Sequence, residues 1–198
     1  GSGLGGNTLI NGGTISLGTG GRGTLYSGSV ADNTGLTNLV GSGSGRFRYN
    51  SDESTSNFTA GLSSGLYGIY REQPTVDVSI DSHDITYGDI VPSLTYEMNG
   101  SANGDTLAQI FGGGTVTVGG TTSTSGHYTA GSHDLTFSGM GAERLGYSVG
   151  TISDGTLDVS TKSIASSIVV QNKIYDGTTA ATFVNSGAGV VSGDLLTI

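Results

Sequence analysis

Hydrophobic residues in this chain fall in short runs of alternating polarity. Val76, Val78 and Ile80 alternate with Asp77 and Ser79, which is the two-residue period of a strand with one buried face. Further strands are predicted at 84–87, 93–98, 115–118, 126–130, 133–138, 147–149 and 155–160, with turn chemistry such as Gly88-Asp89, Pro92, Asn99-Gly100 and Asn103-Gly104 between them. Upstream, Thr8-Leu9-Ile10 and Thr14-Ile15-Ser16-Leu17 are shorter runs broken by Gly or Asn-Gly, a rhythm that suits the stacked strands of a parallel β-helix. Arg46 to Asn50 and Leu66 to Arg71 read as two aromatic strands around a polar excursion. Helical spacing occurs once: Asp105 could N-cap a short helix through Phe111, with Leu107, Ile110 and Phe111 on one side. Beyond Lys162, the residues Ile164, Ile168, Val170 and Ile174 supply strand positions ahead of an Asp176-Gly177 turn, and Ala181 to Val184 resume the strand. The expected class is all-β, the end of a parallel β-helix followed by tandem small sandwich or β-grasp-like modules, with at most one short helix.

Composition narrows this picture. There are 37 Gly but only 2 Pro among 198 residues, with no G-X-Y period, so neither a collagen triple helix nor a Pro-rich linker fits. Disorder is disfavoured because the 34% of hydrophobic residues are rich in Val, Ile and Tyr, types that disordered chains lack. The formal net charge is −9, and the basic residues stand singly at Arg22, Arg46, Arg48, Arg71, Arg144, Lys162 and Lys173. Clustered Lys and Arg are needed to neutralise phosphates, so no nucleic-acid partner is expected. Without cysteine there is no disulfide framework and no Cys-based zinc site. No apolar run approaches the roughly 18 to 20 residues of a membrane span, and no signal peptide opens the chain. The start at Gly1 and a last motif cut short at Ile198 suggest a fragment of something longer.

Two motifs organise the chain into segments 1–74, 75–161 and 162–198. The first is Ile85-Thr86-Tyr87-Gly88-Asp89-Ile90-Val91-Pro92-Ser93-Leu94-Thr95-Tyr96, and the closing strand Gly155-Thr156-Leu157-Asp158-Val159 follows it. Together they make 75–161 resemble the MBG-type repeat of large secreted bacterial adhesins. The second, Lys173-Ile174-Tyr175-Asp176-Gly177-Thr178-Thr179-Ala180-Ala181-Thr182 with Gly193-Asp194, resembles the opening of the YDG-type repeat of the same proteins. Segment 162–198 is too short for a β-sandwich of about 100 residues and is expected to be incomplete, frayed or supported by its neighbour. The run from Gly18 to Ser27, a variable loop and an aromatic strand resemble the point where the β-helix of two-partner-secreted, filamentous-haemagglutinin-like adhesins ends, although Gly23 stands where those have a bulky residue. These resemblances imply an extracellular stalk or spacer in an adhesin acting in cell–cell or biofilm-matrix contact. They also imply an outer-membrane secretion partner and a matrix polysaccharide or neighbouring cells as targets, and Tyr87, Gly88, Asp89, Pro92, Tyr175, Asp176, Gly177, Gly193 and Asp194 as the motif residues. The alternatives are a polysaccharide-binding module of such an adhesin, or part of a β-helix polysaccharide-degrading enzyme.

No catalytic signature competes with this reading. His83-Asp84 and His133-Asp134 are neighbours on strands, so each pair points to opposite faces, and the histidines read as surface positions. Gly41 to Gly45 has Gly43 where a nucleophile elbow needs serine. Gly112-Gly113-Gly114 lacks the lysine and helix of a phosphate loop. Asp77, Asp81, Asp84, Asp89, Asp154 and Asp158 gather near the ends of the second segment as calcium candidates, although no EF-hand or nonapeptide spacing is present and solvated turn positions explain them as well. Tyrosine supplies nine of the aromatic residues and could stack on sugars, but Trp is absent. Lys162 and Lys173 with Asn172 or Asn185 supply the residue types of an isopeptide bond, with nothing to fix their geometry.

Overall fold

The computed structural model describes residues 5–180 and 182–194. Among these residues twelve strands and two short helices follow in the order β1 (Arg22–Ser27), α1 (Leu36–Val40), β2 (Phe47–Arg48), β3 (Gly65–Tyr70), β4 (Thr75–Ile80), β5 (His83–Thr86), β6 (Tyr96–Asn99), α2 (Leu107–Phe111), β7 (Thr115–Val118), β8 (Gly131–Ser138), β9 (Ser148–Ser153), β10 (Gly155–Ser160), β11 (Ala165–Val170) and β12 (Phe183–Ala188). The protein is all-β. The expected strand start at Ala181 lies outside the described residues.

Four sheets form, with strand orders β1-β3-β2, β6-β4-β9, β5-β10-β8-β7 and β11-β12. In the first, β3 pairs in parallel with both neighbours, Tyr26 opposite Ile69 and Phe47 opposite Gly68. Parallel pairing needs crossover connections, and the polar excursions 28–46 and 49–64 supply them. In the second, β4 is central, antiparallel to β6 and parallel to β9. Its Val76, Val78 and Ile80 are buried, as their alternation requires.

The chain divides into two compact units. Unit 1 contains Gly1–Asp81, Thr95–Thr117 and Thr136–Asp154, and unit 2 contains Ser82–Leu94, Val118–Leu135 and Gly155–Ile198. One buried cluster fills unit 1. It joins Leu36, Val40, Phe47, Tyr49 and Tyr70 from the N-terminal stretch with Val76, Val78, Leu107, Ile110, Phe111, Leu145 and Tyr147. Tyr49 lies stacked on Tyr70 at 5.7 Å between ring centroids and tilted against Tyr147 at 4.5 Å, so aromatic surface carries much of this core. Unit 2 is built on β5-β10-β8, in which Leu135, Leu157 and Val159 are buried.

Several expectations are corrected. A second helix exists where a variable loop and at most one helix in the chain were expected: α1 buries Leu36 and Val40, four residues apart, after Gly35 in the left-handed region. The cap of α2 is Thr106, one residue later than expected, and it forms a capping box in which its side chain accepts from the Gln109 amide while the Gln109 side chain accepts from the Thr106 amide. Between 126 and 130 there is only an isolated bridge, Thr122 to Tyr128, and Thr14 to Leu17 forms no strand. Around 121–130 the pairing stays local: the Thr129 amide donates to the Thr121 carbonyl at 3.2 Å and the Ser123 amide to the His127 carbonyl at 2.7 Å.

The third segment forms the two-stranded β11-β12 sheet. Ile168, Val169 and Val170 on β11, and Ile174 and Tyr175 beyond it, are exposed. Two strands without a covering layer are marginally stable in water.

Candidate functional site

The Tyr87-Gly88-Asp89 motif makes a tight turn at the end of β5. The Asp89 amide donates to the Thr86 carbonyl at 2.9 Å, and the Asp89 carboxylate accepts from the Thr86 amide at 3.0 Å. Gly88 sits at φ 91°, and a Cβ there would stand 2.5 Å from a Val191 methyl, so both backbone and space demand glycine. Tyr87 is tied in at each end. Its amide donates to the Ser160 carbonyl on β10, and its hydroxyl donates to Asp194 at 2.5 Å. The ring lies edge-on to His127, 6.1 Å between centroids. Hydrogen bonds from Ser125 and Tyr87, aided by nearby His127, hold the Asp194 carboxyl below the usual carboxylate range. Gly193, at φ 93°, packs over Ser125.

Two motif fragments more than 100 residues apart therefore form one clamp inside unit 2. A cavity of about 220 Å³ opens beside it, lined by Tyr87, Lys162, Ile164, Val190, Val191 and Asp194. Pro92 is exposed next to this turn and takes no part in the clamp. Tyr175 is 94% exposed. Asp176 accepts from the amide and hydroxyl of Thr178, both at 2.9 Å, and pairs with Lys173 at 2.8 Å, while Gly177 takes φ 75°. The second motif is thus a self-contained Asx turn. Lys173 also donates to the Thr178 hydroxyl and the Ala180 carbonyl, so its amine is occupied where an isopeptide bond would need it free.

The calcium candidates do not converge into a cage. Asp77 accepts from the Thr151 amide at 2.6 Å, and Asp81 accepts from the Thr95 hydroxyl at 2.5 Å. Asp84 and Asp158 stand opposite each other in the β5–β10 register and line, with Asp89, an open depression in unit 2. Asp154 is exposed between β9 and β10. Among the described residues no group of three or more acidic or histidine side chains is arranged to hold a metal ion. Two histidines depart from their expected surface placement: His133 is buried, its Nε2 2.7 Å from the Thr129 carbonyl and its ring edge-on to Tyr128, and half-buried His83 has its Nε2 shut off from solvent without a partner. Strand β8 turns His133 toward Leu135, two residues on, and away from water.

Four tyrosines, Tyr49, Tyr67, Tyr70 and Tyr147, are core residues, while Tyr96 and Tyr175 are exposed, one in each unit. Neither unit therefore presents a pair of exposed tyrosines as a stacking platform. Two groups that sequence reasoning missed lie in unit 1. Asp105, 2% exposed, accepts from Tyr49 at 2.7 Å and Tyr147 at 3.0 Å through Oδ2, while its Oδ1 is buried without a partner. Burial raises its pKa, against the two hydroxyl donors and the field of Arg48, and burial likewise raises the phenols of Tyr49 and Tyr147. Arg48, 3% exposed, donates to the carbonyls of Gly45, Phe47, Ala60 and Gly61 and lies between the rings of Phe58 and Tyr67. No spacing signal marks either residue: the partners of Asp105 lie 42 and 56 positions away, and Arg48 takes its acceptors from nearby irregular backbone that has no period.

Comparison with known families bears on the middle of the chain. Residues 76–158 match the MBG domain (YGX type). The matched stretch contains the Tyr87-Gly88-Asp89 turn and closes inside β10, consistent with an adhesin-like module. Neither the curated proteins nor the solved structures gave a match to this chain. Among the described residues no helix is long and apolar enough to cross a membrane.

Proposed function

We propose that the chain is a non-catalytic stalk or spacer segment of a large secreted bacterial surface adhesin, holding a binding tip away from the cell in cell–cell or biofilm-matrix contact. The observation that carries this reading is the clamp: the turn that opens the MBG-matching stretch is bonded through Tyr87 to Asp194, at the far end of the next segment. A spacer works by limiting free linker between modules, and only residues 161–164 separate β10 from β11. The parallel β1-β3-β2 sheet supports reading 1–74 as the distal end of a β-helix, and the Asp176 turn supports a YDG-type start for 162–198. On this reading the parent is extracellular, exported by a two-partner route through an outer-membrane pore, and meets matrix polysaccharide or neighbouring cells. The buried carboxylate is no counter-sign, since Asp105 is closed off by two tyrosines and bonds to no second carboxylate.

Force spectroscopy on the chain pulled from its ends tests the proposal. A load-bearing spacer gives two discrete unfolding peaks, one for each compact unit. Smooth extension without peaks would exclude it.

A further inference from the structure

Three of the seven basic residues, single in the sequence, meet in space. Arg46 before β2, Arg48 at its end and Arg144 after β8 line one open depression of about 510 Å³ in unit 1, together with Ser44, Ser63 and Gln109. No carboxylate lines it. The ion pairs among the described residues are Arg71–Glu53 and Lys173–Asp176, so these three guanidinium groups have no acidic partner within salt-bridge distance. In a chain of net charge −9, that concentration of unpaired positive charge runs against the whole.

The floor of the depression is built. Arg48 is held rigidly by four carbonyl acceptors and two flanking rings, so of the five N–H donors of a guanidinium, one remains unassigned. Burial lowers its pKa, and Arg144 adds like-charge repulsion that a bound anion would relieve. Arg46 lies over Gly65, and Arg144 against Gly112, where added Cβ atoms would stand 2.8 Å and 2.9 Å from the guanidinium groups. Glycine at these two points lets the cationic side chains lie close along the backbone. Ser63 and Tyr67 share a hydroxyl contact at 3.0 Å on the same wall.

We propose that this depression binds an acidic saccharide, whose carboxylate or sulfate group is taken by Arg46 and Arg144 above the buried Arg48. Planar guanidinium groups match a two-oxygen anion through paired N–H bonds. The volume is in the range of organic ligand sites, about 300 to 1,000 Å³, and far exceeds one bare oxyanion, so the ligand brings further bulk. Its walls offer hydroxyl, amide and peptide groups, which suit a polyhydroxylated chain. A nucleic-acid backbone would need a track of cations with stacking rings, and here the cations surround a single depression. Every residue of this site belongs to unit 1, so the inference stands apart from the clamp in unit 2 on which the spacer reading rests.

Isothermal titration of the whole chain with oligogalacturonate at low salt, compared with maltooligosaccharide, sodium sulfate and poly-glutamate, tests it. Saturable binding is expected for oligogalacturonate alone, weakened about tenfold or more in Arg46→Gln and in Arg144→Gln, the scale of a lost charge-assisted hydrogen bond. Lys162→Gln, which removes one charge elsewhere, leaves it unchanged, and both arginine side chains are exposed enough that the melting temperature stays put. Absence of binding overturns the proposal, as does equal affinity for the neutral saccharide or for poly-glutamate. Sulfate binding as tightly as the saccharide, or arginine variants that bind normally, overturns it as well.

Discussion

Asp105 shows how a single side chain can decide a local design. It was expected at a helix start, and it does lie there, but its carboxyl turns inward to the hydroxyls of Tyr49 and Tyr147 and leaves capping to Thr106. Desolvation outweighs the two donors, so the folded-state pKa stands above the unfolded one. The folded state therefore holds this proton more tightly, and the stability linked to it is present at low pH and lost as pH rises through the folded pKa. Asp105→Asn keeps the shape and removes the titration. In thermal melts from pH 4 to pH 8, the wild type minus Asp105→Asn difference falls with rising pH; a flat difference would show that folding leaves the carboxyl's pKa unchanged. Asn103 also donates to the Tyr49 hydroxyl at 3.1 Å, so the network extends past the acid itself. None of this was legible in the sequence, because partners 42 and 56 positions away leave no periodic trace.

At the scale of elements, the strands with one buried face were the most legible. Val76, Val78 and Ile80 in β4 alternate and are buried as read, and the strand expected at 155–160 forms as β10 with Leu157 and Val159 buried. Helix α2 was found through Leu107, Ile110 and Phe111, all buried. What failed was short and glycine-flanked. Five-residue α1 has only Leu36 and Val40 to announce it, and its existence depends on packing against the core. The capping box of α2 gives a measurable consequence: Thr106→Ala costs about 1 kcal/mol of unit 1 stability by denaturant titration, with no change in the slope of the transition. A cost near zero would mean that Gln109, whose Nε2 also donates to the Gly43 carbonyl at 2.7 Å, holds the helix start alone.

Over the whole chain, the sequence read as three consecutive segments, while contacts form two units that interleave along it. The core of unit 1 takes side chains from both sides of residue 75, through Tyr49, Tyr70 and Tyr147. Unit 2 joins the Tyr87 turn to the last described residues through Asp194. The motif letters were visible at once; that Tyr87-Gly88-Asp89 and Gly193-Asp194 would close on each other was not, since pattern reading has no reach across 107 positions. The clamp also carries a pH sign. The Asp194 pKa is depressed, so its contribution is present above the unfolded value and is lost as pH falls through the folded one. The central claim is that the MBG-matching turn and the following segment move as one piece. Amide hydrogen exchange at neutral pH on wild type and Tyr87→Phe tests it most directly. The account predicts that the amides of Asp89 and Asp194 exchange about five- to tenfold faster in the variant, the loss of one hydrogen bond, while those of β3 in unit 1 are unchanged. Equal rates in the two proteins would contradict it.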